Sequence, residues 1–245
     1  MKKSVLRKMA AALAFAVALA WGYTGNAAPI VEKPEAALHK AFPNLPVDTI
    51  VQTDITGLFE VVSGQNVFYY YPEKEYLFIG EIITTGGKNL TAEKKGEIAA
   101  KFVKNLPLDK AVKIGNGKTV VIEFTDPDCP YCRKASEFFK SRTDVTRYAF
   151  FSPIAHPAAI TKVYYILNAG DKAKAYQEMF EGKDAVQPAS GYSESIKKLA
   201  REHMDLARSA GVTGTPTFFI NGKQVVGADM PQIEKLLNDP ARTGK

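Results

Sequence analysis

The chain has two cysteines, and they lie three positions apart in the segment FTDPDCPYCRKASEFF, residues 124–139. A disulfide between Cys129 and Cys132 closes so short a loop that it would add little stability as a structural cross-link. A structural zinc site usually needs four ligands, and the three histidines of the chain offer no second paired spacing. The pair therefore predicts reversible exchange between dithiol and disulfide, with no metal or organic cofactor.

The elements around the pair predict different roles for the two sulfurs. TVVIEF, residues 119–124, reads as a buried strand interrupted only by Glu123, and residues 133–142 have helical periodicity. Cys129 would then lie at a helix N-terminus, where free N–H groups and the helix dipole favour a thiolate. Cys132 would lie one turn further in and more buried. We expect Cys129 to attack and Cys132 to resolve.

The rest of this half of the chain completes a sheet with a helical insertion. VTRYAFFS, residues 145–152, predicts a strand that forms a βαβ unit with residues 119–124. A long helical stretch follows over about residues 157–210. FFI and KQVV then flank the turn signal Asn221-Gly222, which predicts a hairpin. The last helix is expected in PQIEKLLN.

The N-terminus has the layout of a secretory signal peptide, which we place at residues 1–27. Four basic residues precede an apolar run over residues 9–20, and small residues follow. The alternative is an uncleaved membrane anchor, but the run is shorter than the roughly 20 residues that a spanning helix needs.

The charge balance argues against a nucleic-acid partner. Residues 1–27 hold four of the 32 basic residues and none of the 26 acidic ones, so the remaining chain has 28 basic residues. These charges are dispersed, whereas phosphate binding needs a clustered basic face.

The remaining chain is long enough for two domains. Residues 28–90 combine a short helical segment with β-rich runs, which predicts a small α+β module. Residues 91–106 predict a helical linker capped by Thr91, and residues 107–245 form the second domain, with a helical insertion over about 153–210. An alternative is that the linker is one more helix of a single larger domain.

Two motifs carry a resemblance to a known family. TVVIEFTDPDCPYC followed by GVTGTPTFFINGK, which begins at Gly211, resembles the thioredoxin fold with a helical insertion. The chain after residue 27 is similar to the DsbC/DsbG family of periplasmic disulfide isomerases. The resemblance implies an α/β thioredoxin-like catalytic domain, joined by a helical linker to a small N-terminal α+β dimerisation domain.

The resemblance also implies a setting and partners. Family members are periplasmic homodimers whose active sites face a cleft. They act on misfolded or mis-oxidised secreted proteins and are kept reduced by the membrane protein DsbD, so a DsbD-like reductant is expected here.

Three further site residues follow from the resemblance. Pro216 matches the cis-proline that packs against the CxxC motif, and the backbone of Thr215 is expected to pair with an extended substrate strand beside Cys129. Glu123 departs from DsbC, which has an apolar residue there, towards the oxidase DsbA. A buried Glu123 is expected to have a raised pKa and to exchange a proton with Cys132, unless it faces solvent at a strand edge.

Other departures concern the subfamily. The extra disulfide of DsbC is absent, because its positions correspond to Asn168 and Gly191. CPYC is closer to DsbG than to the CGYC of DsbC. His203 is expected to be a packed or surface residue, and His156 is expected to lie away from the active site. Asp126 and Asp128 are expected to oppose the Cys129 thiolate modestly.

The sequence therefore predicts a disulfide isomerase or reductase that uses the Cys129 thiolate. Three alternatives stay open. A DsbA-like oxidase is favoured by Glu123, and a dedicated reductase is compatible with CPYC. A holdase-type chaperone would use the dimer cleft, with the thiols secondary.

Overall fold

The computed structural model describes residues 33–183 and 191–239; the predicted signal peptide lies outside these ranges. The N-terminal part begins with helix α1 (Pro34–Ala41), which is followed by a four-stranded antiparallel sheet in chain order. Its strands are β1 (Thr49–Gln52), β2 (Phe59–Ser63), β3 (Asn66–Tyr71) and β4 (Tyr76–Phe78).

The core of this small sheet forms between its strands and α1. The β2–β3 hairpin pairs Val62 with Val67, and Gly64 takes a φ of 58° in the turn between them. Leu38 of α1 packs against Val61 and Tyr70, all fully buried. Tyr69 and Tyr70 of β3 are thus part of the strand packing.

Helix α2 (Leu90–Val103) leads from this sheet to the second one and begins differently from the prediction. Its N-cap is Asn89, whose side chain accepts from the N–H of Ala92 at 2.9 Å. Thr91 is buried inside the first turn, where its hydroxyl bonds Tyr69 and accepts from the N–H of Ile82. The expected Thr91 cap is wrong because that hydroxyl ties the helix to the N-terminal sheet.

The second domain is built on a five-stranded mixed sheet of order β5-β7-β6-β8-β9. Strand β6 is central, parallel to β7 and antiparallel to β8. The strands are β5 (Val112–Ile114), β6 (Thr119–Thr125), β7 (Val145–Phe151), β8 (Thr217–Ile220) and β9 (Lys223–Val226). The β8–β9 hairpin turns at Asn221 and Gly222, both with positive φ, as predicted.

Helices cover both faces of this sheet. On one face, α3 (Pro130–Lys140) and α7 (Met230–Leu237) pack against Val121 of β6. On the other face, α2 packs against Phe124 of β6. This arrangement confirms the fold class predicted from the sequence.

The helical insertion follows β7. It contains α4 (Ile160–Asn168), α5 (Lys172–Phe180) and α6 (Glu194–Ser209). Apolar packing joins α4 and α5 to β7 through a cluster that also contains both cysteines and has Tyr176 at its centre. Both cysteines of the chain lie in the CPYC motif, so no disulfide cross-links this insertion. None of the helices in the described ranges is long and apolar enough to span a bilayer.

Candidate active site

The two cysteines begin helix α3 at the end of strand β6. Cys129 is the N-cap residue, and Pro130 takes the first helical position, where a missing N–H costs nothing. The N–H of Cys129 donates to the carbonyl of Asp126 at 3.2 Å, which closes the turn out of the strand. Cys129 is 5% exposed and Cys132 is fully buried. The structure therefore orders the sulfurs as the sequence predicts, with Cys129 nearer the surface.

The loop before β8 lies directly beside Cys129. The sulfur of Cys129 is 3.4 Å from the main-chain carbonyl oxygen of Thr215. The Thr215–Pro216 bond is cis, as the resemblance implies, and Pro216 is buried. The Pro216 carbonyl accepts from the N–H of Gly227 at 2.8 Å, which fixes the loop to the end of β9. Cys129 and Thr215 thus lie side by side, although they are 86 positions apart in the chain.

Cys132 is held as a protonated thiol. Burial raises the pKa of the Cys132 thiol well above its ordinary value, and the nearby Cys129 sulfur raises it further. The nearby Thr125 hydroxyl opposes this effect in part, and this buried hydroxyl has no hydrogen-bond partner among the described residues. A protonated thiol is a poor nucleophile, so Cys132 is unreactive at neutral pH in this state.

Glu123 is fully buried in the central strand, so its surface alternative is wrong. Its carboxylate accepts from the guanidinium of Arg147 at 3.0 Å and from the hydroxyl of Tyr176 at 3.0 Å. Arg147 lies on β7 with its charge over the rings of Phe139 and Tyr176. Within the described residues, no hydrogen bond joins Glu123 to Cys132, so the contacts give Glu123 partners other than the resolving thiol.

A compact group of charged side chains surrounds the turn before Cys129. Asp128 contacts Arg133 at 3.0 Å and Lys162 at 2.6 Å. The buried carboxylate of Asp126 lies 2.7 Å from Nδ1 of His156. The prediction that His156 lies away from the site is wrong, because the chain after β7 folds back, with the N–H of Ser152 bonded to Thr125 at 2.8 Å.

His203 is a buried structural residue, as expected. Its Nδ1 accepts from the N–H of Phe151 at 3.1 Å, and its Nε2 donates to the carbonyl of Lys110 at 2.9 Å. The bond accepted by Nδ1 requires the neutral ring, and burial lowers the pKa of His203 to about 4. This side chain fixes α6 to β7 and to the start of β5.

Two exposed apolar side chains lie in the CPYC motif and in the loop that carries His156. Tyr131, inside the CPYC motif, is 64% exposed, and Ile154, in the loop after β7, is 54% exposed. The helical position of Tyr131 was evident from the motif. The positions of Thr125 and His156 relative to the cysteines were not, because they depend on the path of the chain after β7.

Comparison with known proteins places the chain in a family. Residues 25–92 match the family described as "Disulfide bond isomerase protein N-terminal domain", and residues 106–240 match "Thioredoxin-like domain". The probable thiol:disulfide interchange protein DsbC of Bordetella avium is 30% identical over 210 residues, which cover 84% of this chain and 73% of that protein. DsbC of Salmonella typhimurium is 26% identical over 86% of this chain and 89% of that protein.

A solved structure agrees with the fold. The thiol-disulfide exchange protein α-DsbA2 of Wolbachia pipientis superposes with a TM-score of 0.50 at 18% identity, over 62% of this chain and 98% of that one. The chain belongs to the DsbC/DsbG family of thiol:disulfide interchange proteins, and it is a thiol–disulfide oxidoreductase with a thioredoxin-like domain.

Proposed function

We propose that the protein is a periplasmic disulfide isomerase and reductase that acts on mis-oxidised secreted proteins. The observation that carries this proposal is the position of Cys129. It begins a helix, it is nearer the surface than Cys132, and it lies 3.4 Å from the Thr215 carbonyl in the loop that would hold a substrate backbone. An N-terminal domain of the isomerase type adds to the case.

The proposed reaction uses both sulfurs in turn. The Cys129 thiolate attacks a substrate disulfide, so that one substrate sulfur leaves as a thiolate while the other forms a mixed disulfide with Cys129. The freed thiolate attacks another substrate disulfide until Cys129 is released. If this stalls, Cys132 loses its proton and attacks Cys129, and the substrate leaves reduced by two electrons. A DsbD-like membrane reductant would then return the pair to the dithiol.

Thr215 and Pro216 are proposed to bind the substrate main chain. The backbone beside Cys129 would pair with an extended segment, and such pairing recognises main chain rather than sequence. Tyr131 would contact apolar side chains next to the substrate cysteine, since it is exposed and lies between the two cysteines in the motif.

Glu123 is proposed to exchange a proton with Cys132 from its buried position in β6. Its carboxylate is held by Arg147 and Tyr176, so direct proton exchange with Cys132 would require those bonds to rearrange. A buried carboxylate in this strand also supports the second candidate, a DsbA-like oxidase.

A homodimer is proposed through the N-terminal module. This module exposes a group of large apolar side chains that would be costly to leave in water. They are Ile55 (52% exposed), Phe78 (49%), Ile79 (81%) and Ile83 (60%). The cleft of such a dimer is the basis of the alternative chaperone function.

The test is the recovery of activity by a substrate protein with scrambled disulfides. The intact protein is expected to restore that activity, and Cys129→Ser is expected to abolish the effect. Cys132→Ser is expected to retain part of it, because isomerisation needs only one attacking sulfur. If a variant lacking both cysteines performs as well as the intact protein, the activity is that of a chaperone. If the intact protein only oxidises reduced substrates, it is an oxidase.

A further inference from the structure

The carboxylate of Asp126 is the most enclosed charge near the cysteines. It is fully buried, and its Oδ1 accepts from the N–H of Asp128 at 2.9 Å. Its Oδ2 lies 2.7 Å from Nδ1 of His156. Both oxygens therefore act as acceptors, which is the arrangement expected of an ionised carboxylate.

The main chain of Asp126 joins this carboxylate to Cys129. Its carbonyl accepts from the main-chain N–H of Cys129 at 3.2 Å. A negative charge at this point disfavours a thiolate on Cys129 unless a positive charge compensates it.

The compensating charge at Asp126 differs from those at Asp128. Asp128 is contacted by Arg133 and Lys162, which stay charged across the physiological range. Among the described residues, His156 is the only cationic side chain that contacts Asp126. Histidine is the side chain whose charge ordinarily changes near physiological pH, whereas lysine and arginine keep theirs.

We propose that His156 is a positioning residue that, when protonated, neutralises Asp126 and so raises the nucleophilicity of Cys129 at acid pH. This inference rests on the proposed role of Cys129 as the attacking sulfur. The charged and titratable groups around the pair are Asp126, Asp128 and the two cysteines from the β6–α3 turn, with Arg133 from α3 and Lys162 from α4.

The geometry also fixes the tautomer. Since the Asp126 carboxylate can only accept, Nδ1 of His156 must donate to it, and Nε2 is left to gain or lose the titrating proton. The His156 side chain is 38% exposed, so this nitrogen exchanges protons with water. The loop that carries it is held by the bond from Ser152 to Thr125 and by a short 3₁₀ turn, Pro157–Ala159.

The experiment is the rate of Cys129 alkylation by iodoacetamide as a function of pH in the reduced full-length protein. His156→Gln keeps a donor for Asp126 but cannot gain a charge. We expect it to react roughly threefold to tenfold more slowly than the intact protein at about pH 6, as a Coulomb effect of about 1 kcal/mol implies. At higher pH the two rates are expected to converge, as the intact protein loses the charge on His156.

Two variants serve as controls. His39→Gln removes an exposed histidine on α1 and is expected to follow the intact protein at every pH. Asp126→Asn combined with His156→Gln removes both charges and is expected to restore the fast rate at about pH 6. A His156→Gln profile that matches the intact protein overturns the proposal. So does a uniform slowing at all pH values, which would indicate a purely structural role.

A measurement on the unaltered protein covers the case in which the variants fail to fold. At about pH 6.5, oxidation of the cysteine pair is expected to move the NMR signal of the His156 ring towards the neutral form, because the thiolate that stabilises its charge is removed. The His39 signal is expected to stay in place. An unmoved His156 signal overturns the proposal. None of these readouts requires isomerase activity, so failure of the proposed function would be seen separately.

Discussion

The sulfur of Cys129 and the main-chain carbonyl of Thr215 lie 3.4 Å apart, although they come from opposite ends of the thioredoxin-like domain. This contact brings the attacking sulfur to a piece of backbone that adjoins Pro216. It is the point at which a substrate disulfide and the peptide that carries it would be held together.

The difference between the two thiols predicts selective modification. Because burial raises the pKa of Cys132 and closes it to solvent, a brief treatment of the reduced native protein with an alkylating agent at about pH 7 should modify Cys129 alone. Peptide mass spectrometry would locate the label. In denaturant, both thiols should react at similar rates, which serves as the control. Equal labelling of both in the native state would contradict the account.

The resolving role of Cys132 predicts a trapped intermediate. Cys132→Ser should accumulate mixed disulfides between Cys129 and substrate proteins, because no second sulfur is present to release them. Cys129→Ser should accumulate none. Non-reducing gels of cell-envelope extracts would show the complexes. Complexes that form instead through Cys132 would reverse the assignment of the two sulfurs.

The buried ion pair predicts a large loss of stability when it is broken. Glu123→Gln leaves Arg147 charged and buried without its anion, and such losses are typically about 3–5 kcal/mol. Urea unfolding of the two proteins would measure the difference. Glu137→Gln is the matched control, because Glu137 is 72% exposed and its pair with Lys140 should contribute about 0.5 kcal/mol. Equal stabilities of the two variants would contradict the ion-pair account.

His203 predicts a loss of stability in acid. Its pKa is about 4 in the folded protein and about 6.5 when unfolded, so the unfolded chain binds the proton more readily. The stability is present in full above about pH 6.5 and is lost as the pH falls to about 4, by about 3 kcal/mol. His203→Gln, which cannot take up this proton, should show a flatter dependence between those values in urea unfolding. An unchanged slope would mean that other groups cause the acid sensitivity.

The exposed apolar group of the N-terminal module predicts dimer disruption by a single charge. Ile79→Asp should convert the proposed dimer to a monomer, because an unpaired carboxylate would be buried in the interface. Sedimentation velocity at micromolar concentration would show the change. Val226→Asp is the control, since Val226 is 64% exposed on β9 and lies in the other domain. A monomeric unaltered protein would exclude the dimer.

Local patterns were sufficient to predict the cysteine geometry. An apolar strand followed by a CxxC motif and a helical pattern determines where both sulfurs lie, because each step depends on neighbouring residues. The Asn221-Gly222 hairpin was predictable for the same reason.

The partners of Glu123 and Asp126 could not be predicted, because they depend on distant pairing. In the parallel register, Val121 pairs with Arg147, so Arg147 and Glu123 lie on the same face of neighbouring strands. That register cannot be read from either strand alone. His156 reaches Asp126 only because the loop after β7 turns back. The direction of such a Pro-flanked loop cannot be predicted from its sequence.

The redox state of the cysteine pair in the cell shows whether the protein works as an isomerase or reductase, as proposed, or as an oxidase. Intact cells would be quenched with acid, and free thiols would be tagged with a mass label before electrophoresis. For an isomerase or reductase, we expect Cys129 and Cys132 to be mainly reduced and to become oxidised when the membrane reductant is removed. A pair that is mainly oxidised in untreated cells would contradict this expectation and would make the protein an oxidase.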